Sequence, residues 1–123
     1  MTTPTGRTLL DHQVLRELEW LGAELGEDVL GDVIAAFESS APALVAELSR
    51  AWWAGDRAAM ARSAHTLRSA SLQVGATRLH EIAREIDAKV LDTAADLADP
   101  VERCARELEV VRAELGKLVG KRS

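Results

Sequence analysis

The sequence predicts an all-α fold, an antiparallel up-down four-helix bundle with a short additional N-terminal helix. Apolar residues recur at spacings of three and four through most of the chain, which is typical of amphipathic helices. Aromatic residues, which favour strands, make up only 3% of the sequence. The breaks between apolar segments are short, which favours antiparallel neighbours. Because 123 residues suffice for one core, we expect a single domain over residues 1–123, with its core at about 10–119.

The apolar spacing and the intervening Gly, Asp and Pro residues predict five helices. We place them at about 11–22, 27–54, 56–74, 77–91 and from Pro100 onward, with a loop at 92–99 and a loose tail at 120–123. Pro42 lies inside the second segment and is compatible with a kink near Ser39 to Ser40 or with a break into two helices. Pro100 suits the first turn of the last helix, where its missing N–H costs nothing.

Charge and composition argue against several classes of protein. A net charge of −5 is unfavourable for binding a phosphate backbone. The longest run without an ionised residue extends over nine residues, Ser69 to Thr77, whereas a membrane span needs roughly 20 apolar residues. Cys104 is the only cysteine, and the first residues lack the apolar core of a signal peptide. We therefore expect a cytoplasmic protein with neither nucleic acid nor membrane as a partner.

One histidine is predicted to point away from the bundle. At about 100° per residue, one side of the third helix collects its apolar and small residues, and this side must face the core. The residues on it are Met60, Ala64, Leu67, Ser71 and Val74. His65 then points roughly 140° away from the core direction. The sequence thus predicts an imidazole held in solvent on a helix.

The predicted face around His65 is small, partly apolar and basic. A solvated helix face usually carries Glu and Lys in pairs, so this composition favours a flat docking surface for a protein partner. Arg68 at i+3 and Arg62 at i−3 could each reach an oxyanion carried on the imidazole. A neutral imidazole is nucleophilic near pH 7. The residues predicted around His65 are Ala58, Ala61, Arg62, Arg68, Ser69 and Leu72.

The segment Ala64 to Ala76, which reads A-H-T-L-R-S-A-S-L-Q-V-G-A, resembles the motif of the histidine-containing phosphotransfer (HPt) domain family. That motif reads A-H-x-L-K-G-[SA]-[SA]-x-x-[LV]-G-[AL]. The preceding Phe37 to Leu48 and the turn Ala54-Gly55-Asp56 are also similar to the family, and the resemblance extends over about residues 10–91. Arg68 stands where lysine is usual in the family, and Ser69 where glycine is usual.

The resemblance implies a phosphoryl carrier of two-component phosphorelays and not an independent enzyme. His65 would accept a phosphoryl group from a receiver-domain phospho-aspartate or a hybrid histidine kinase, and pass it to another receiver aspartate. Arg68 would compensate its charge, and Ser69 would leave it room. Asp87 aligns with the glutamine or glutamate that orients the imidazole in many members. The receiver would supply Mg²⁺, so no cofactor or metal of the chain's own is expected.

A second interpretation of the same resemblance is a degenerate adaptor, which binds a receiver or kinase without carrying phosphate. The departures at positions 68 and 69 keep it open. A metal-dependent or hydrolytic enzyme is disfavoured because His12, His65 and His80 form no His-x-x-x-His or Glu-x-x-His pair. His80 is predicted to be partly buried and hydrogen-bonded, and His12 to lie on the surface.

Two further residues and the oligomeric state complete the expectations from sequence. Cys104 falls in the apolar seam of the last helix, so we expect a buried, unreactive thiol. Trp53 lies off the stripe that contains Trp52, so it is expected to be exposed, and either caps the end of the bundle or contacts a partner. The seam of the last helix is needed to close the bundle, so we expect a monomer.

Overall fold

The structure, a computed structural model, describes residues 10–122, and side chains up to residue 120. It has five α-helices and no strand within that range, so the predicted all-α class is confirmed. They are α1 (His12–Leu25), α2 (Val29–Ala54), α3 (Arg57–Gln73), α4 (Thr77–Lys89) and α5 (Ala98–Arg122). The first three helices begin at aspartates, Asp11, Asp28 and Asp56, whose carboxylates accept a hydrogen bond from the first turn.

Four helices surround the hydrophobic core. α2 packs against α3 and α5, and α4 packs against the same two helices, while α1 packs against α2. Every helix contributes buried apolar side chains, such as Leu15 of α1, Phe37 of α2, Leu67 of α3, Ile86 of α4 and Leu115 of α5. Burial of these side chains is the main force that holds the helices together.

Several boundaries differ from those predicted. α1 continues beyond Gly22 to Leu25 and ends where Gly26 adopts a left-handed conformation with φ of 70°. α2 runs through Pro42 without a break, because buried residues on both sides of the proline keep one stripe packed on the core. α5 is helical to Arg122, so the prediction of a loose tail is wrong for residues 120–122. Ser123 lies outside the described residues.

Long-range hydrogen bonds hold both ends of the pair formed by α3 and α4. The backbone N–H of Asp11 donates to the carbonyl of Gly75 at 2.6 Å, which joins the start of α1 to the turn between α3 and α4. Arg57, at the start of α3, donates to carbonyl oxygens of the α4–α5 connection. The acceptors belong to Val90 at 3.2 Å, Asp92 at 3.0 Å and Ala95 at 2.8 Å. Both ends of the α3–α4 pair are therefore held by long-range hydrogen bonds.

Ion pairs connect α5 with its neighbours. Arg103 donates to both carboxylate oxygens of Glu85 on α4, at 2.9 and 3.0 Å, and this hydrogen bond lowers the pKa of Glu85. Arg112 donates to Glu38 of α2 at 2.8 Å. These pairs are partly exposed, so each adds little to the stability of the fold. Their main effect is to favour this pairing of helix faces.

Among the described residues, α2 is the one helix long and apolar enough to cross a membrane by length and composition alone. A core helix of a helical bundle satisfies the same criteria. α2 packs a face that includes Ile34, Phe37 and Leu48 against α3 and α5. The core thus accounts for the apolar residues on the buried face of α2.

Candidate functional site

α3 presents His65 to solvent, and the opposite face of this helix is buried. The five residues predicted to face the core are all buried, with at most 1% of their surface exposed. Ser71, the polar one among them, donates through its hydroxyl to the carbonyl of Leu67 at 2.7 Å, which satisfies the buried group. The His65 side chain is 74% exposed. The same helical phase that packs α3 on the core therefore holds the imidazole in the solvent, as the sequence predicted.

His65 and Arg68 of α3 both approach one carboxylate on α4, that of Asp87. The Nη1 atom of Arg68 donates to Oδ2 of Asp87 at 2.5 Å. Nδ1 of His65 lies 3.6 Å from the same oxygen, an ion-pair distance that is beyond hydrogen-bonding range. The residue proposed from the family alignment to orient the imidazole thus lies beside it. Its close contact in this structure is with the guanidinium.

The sequence predicted Arg68 to face an oxyanion on the imidazole and did not predict its contact with Asp87. The ion pair joins residues 19 positions apart, so it depends on the register between α3 and α4, which helical periodicity does not specify. The side chains are 33% and 22% exposed, so water still reaches the pair. A guanidinium has five N–H donors, which leaves donors for a second anionic acceptor.

The position of Asp87 favours one tautomer of His65 over the other. Nδ1 faces the Asp87 carboxylate, where an N–H is favoured over a lone pair. In a neutral imidazole the other nitrogen, Nε2, then carries the lone pair, which is the part of the ring that could react as a nucleophile. Since His65 is exposed, a partner protein can reach Nε2 without rearrangement of the helices.

A second histidine supports the site from α4. Nδ1 of His80 lies 3.1 Å from the backbone carbonyl oxygen of Arg68. A carbonyl only accepts hydrogen bonds, so Nδ1 of His80 carries the proton in this contact. His80 is half-buried, and its predicted hydrogen-bonded structural role agrees with this position. Its contact with α3 one turn beyond His65 was not predictable, because the sequence does not specify which turns face each other.

The residues predicted to surround His65 are mostly open to a partner. Ala58, Arg62, Ser69 and Leu72 are exposed, Leu72 to 49%, and Ala61 is half-buried. Ala58 and Ser69 leave the surface low, whereas the longer Arg62 and Leu72 can project from it.

The remaining candidates lie away from this cluster or have structural roles. Cys104 is completely buried, and burial raises the pKa of its thiol to about 12. Trp53 is 81% exposed and meets Trp52 edge to face, with ring centroids 5.2 Å apart. His12 is exposed at the start of α1. Within the described part of the chain, no three His, Cys, Asp or Glu side chains are grouped so that they could hold a metal ion.

Comparisons with known proteins bear on this site. The sequence model of the family described as "Hpt domain" matches residues 32–120, a range that includes His65, Arg68 and Asp87. No curated protein matches the sequence significantly. Among solved structures, histidine-containing phosphotransfer protein B (HptB) from Pseudomonas aeruginosa PAO1 is similar, with a TM-score of 0.82 and 24% sequence identity. The match covers 93% of this chain and 96% of the HptB chain, and it shows a shared fold.

Proposed function

Because the chain belongs to the Hpt domain family, we propose that it is a phosphorelay intermediate whose phosphoryl-accepting residue is His65. The family resemblance indicated by the sequence is confirmed, and family membership supports a role in phosphoryl transfer within phosphorelays. The observation that carries the choice of residue is the exposure of His65 together with the approach of its Nδ1 to Asp87.

The proposed reaction needs little of this chain beyond a positioned nucleophile. The lone pair on Nε2 of His65 attacks the phosphorus of a receiver phospho-aspartate, and a P–N bond forms. The bond between phosphorus and the aspartyl oxygen breaks, and its electron pair leaves with the aspartate carboxylate. Nδ1 keeps its proton, and the positive charge that develops on the ring faces Asp87. Transfer to a second receiver is the same reaction in reverse.

We propose that the charges for this transfer come from both partners. Arg68 lies one turn from His65 and offers donors to the phosphoryl oxygens. The receiver supplies Mg²⁺ and its own acidic pocket, so this chain requires no cofactor and acts as a carrier, not as an independent catalyst. A receiver domain or a hybrid histidine kinase is the partner that this chemistry requires.

The receiver is proposed to dock on the surface formed by Ala58, Ala61, Arg62 and Leu72, with Ser69 beside the transferred group. These side chains lie on the same outward part of α3 as His65, and all of them are at least partly exposed. A serine hydroxyl at position 69 occupies little volume and can donate to a phosphoryl oxygen. Small neighbours let the reacting aspartate approach Nε2 closely.

We also infer the topology of the helices, the oligomeric state and the location of the protein. The contact of Asp11 with Gly75 joins α1 to the end of α3, and the contacts of Arg57 join the start of α3 to the end of α4. Both favour an antiparallel up-down bundle with α1 across one end. A single domain, a monomer, a cytoplasmic location and partners other than nucleic acid or membrane complete the proposal.

The experiment that tests the proposal is labelling by a phosphorylated receiver. A panel of receiver domains carrying radioactive phospho-aspartate is incubated with the wild-type chain, and the transferred label is tested in acid and base. We expect acid-labile, base-stable label that His65→Gln abolishes. His12→Gln is the matched control, because His12 is also exposed but lies at the start of α1. Label that persists in His65→Gln would refute the assignment.

The same experiment separates the carrier from the adaptor. An adaptor would bind a receiver, as measured by titration calorimetry, and would accept no label from any receiver in the panel. The two departures at Arg68 and Ser69 then provide the next variants. Arg68→Lys and Ser69→Gly restore the residues usual in the family and would be expected to create labelling in a chain that lacks it.

A further inference from the structure

We propose that Asp87 is a positioning residue that holds the Arg68 guanidinium beside His65 in the unmodified protein and yields it to the phosphoryl group when His65 is phosphorylated. The inference rests on the proposed function of His65. It assigns to Asp87 a second role, in addition to orienting the imidazole. In this role the carboxylate competes with the phosphoryl group for one cation.

In the unmodified protein, Asp87 is hydrogen-bonded to Arg68 and not to His65. One oxygen of Asp87, Oδ2, faces both cationic candidates, and it is 2.5 Å from Arg68 and 3.6 Å from His65. The guanidinium therefore forms the hydrogen bond with Asp87, whereas the imidazole lies just beyond hydrogen-bonding distance. Arg68 is thereby kept close to His65, since Nδ1 of His65 lies 3.6 Å from the oxygen that Arg68 binds.

Phosphorylation of His65 offers a new partner both to Arg68 and to Asp87. The phosphoryl group on Nε2 adds negative charge and oxygen acceptors within reach of a residue at i+3. The modified ring, protonated at Nδ1, becomes a better donor to Asp87. Arg68 thus gains a second anionic acceptor, and Asp87 gains a second cationic donor. The pair can exchange partners without leaving a charge unpaired.

The exposure of the pair makes such an exchange possible. A deeply buried ion pair would be costly to break, whereas Arg68 is 33% exposed and Asp87 22% exposed. Partly hydrated pairs of this kind are weakly coupled, and water can replace either partner during the change.

The first test needs no phosphorylation and uses inorganic phosphate as the probe. Binding near His65 is followed by ¹H–¹⁵N spectra of unmodified wild type and variants. Asp87→Asn removes the competing charge, so we expect about two- to fivefold tighter phosphate binding. The gain should vanish in the double variant Arg68→Gln/Asp87→Asn. It should persist in Arg106→Gln/Asp87→Asn, because Arg106 is an exposed arginine of α5 that pairs with Glu102 of the same helix.

The second test uses the protein phosphorylated on His65 by phosphoramidate. If Arg68 has moved to the phosphoryl group, the ³¹P resonance should titrate at lower pH in wild type than in Arg68→Gln, with Arg106→Gln unchanged from wild type. The proposal is overturned if Asp87→Asn binds phosphate no more tightly, if its gain survives loss of Arg68, or if the ³¹P titration ignores Arg68. Failure of His65 to accept phosphate while the first test succeeds would refute the proposed function, and with it the hand-over, but leave the competition for Arg68 established.

Discussion

Gly75 and Asp11 meet so closely that a side chain at position 75 has no room. The carbonyl of Gly75 accepts a 2.6 Å hydrogen bond from the Asp11 N–H, and Gly75 has a positive φ of 71°. A Cβ added there would lie 2.8 Å from the Asp11 carbonyl oxygen. The glycine therefore serves both the left-handed turn after α3 and the attachment of α1 to it.

Replacement of this glycine should loosen that attachment. We expect Gly75→Ala to lower the free energy of unfolding by about 1–3 kcal/mol, because of its backbone conformation and the clash with Asp11. Urea unfolding followed by circular dichroism measures the change. Gly116→Ala is the control, because α5 is helical there and no atom beyond the adjacent residues and the backbone of its own helix lies within 4 Å of the added Cβ. It should be neutral or stabilise by up to about 1 kcal/mol. Equal effects of the two substitutions would contradict this account.

Arg57 should contribute more to stability than an ordinary surface arginine. Arg57→Ala removes the donor to three carbonyl groups of the α4–α5 connection, and should cost about 1–3 kcal/mol in the free energy of unfolding. Arg50→Ala removes an exposed ion pair with Glu47 on the same helix and should change it by no more than about 0.5 kcal/mol. Chemical denaturation of both variants checks the difference. If the two losses are the same, the carbonyl contacts do not stabilise the connection.

The buried thiol of Cys104 should make the fold sensitive to high pH. Burial raises its pKa from 9.0 to about 12, so above pH 9 the unfolded thiol ionises while the folded thiol keeps its proton. The unfolded state then binds fewer protons, and the free energy of unfolding falls as pH rises, by up to about 1.4 kcal/mol per pH unit. Cys104→Ala should reduce this slope between pH 8 and 10, measured by urea unfolding. An unchanged slope would show that the thiol does not contribute.

A substitution on the proposed docking surface should separate docking from chemistry. Leu72→Glu places a charge on an exposed apolar side chain two turns from His65, so the fold should be unaffected. We expect phosphoryl transfer from a receiver to slow about tenfold, since a central apolar contact is lost, while labelling by phosphoramidate stays at the wild-type rate. Time courses of labelling, one with the phosphorylated receiver and one with phosphoramidate as donor, measure the two rates. A parallel loss with both donors would place Leu72 in the chemistry or the fold instead.

The sequence predicted features that depend on one helix and missed those that depend on two. The phase of α3 follows from its apolar residues, so burial of Leu67 and exposure of His65 were both predictable. The pairing of Arg68 with Asp87 depends on how α3 and α4 are set against each other. The packing of core side chains sets that register. The spacing of apolar residues within one helix does not predict it.

Helix boundaries were less predictable for a related reason. Pro42 is a local signal for a break, but the packing of α2 on α1, α3 and α5 outweighs the one missing hydrogen bond. The end of α1 was placed at Gly22, whereas the chain turns at Gly26. Gly22 is buried where a Cβ would lie 2.5 Å from the Glu27 carbonyl oxygen, so this glycine allows close packing and does not end the helix.

The most direct measurement is the identification of the phosphorylated nitrogen. The chain, labelled with ¹⁵N in its histidines, is phosphorylated by phosphoramidate, and long-range ¹H–¹⁵N and ³¹P spectra are recorded at mildly alkaline pH. The account predicts a single phosphohistidine at His65, modified on Nε2, because Nδ1 faces Asp87. Phosphorylation of His65 on Nδ1, modification of His12 or His80, or no phosphohistidine at all would contradict it.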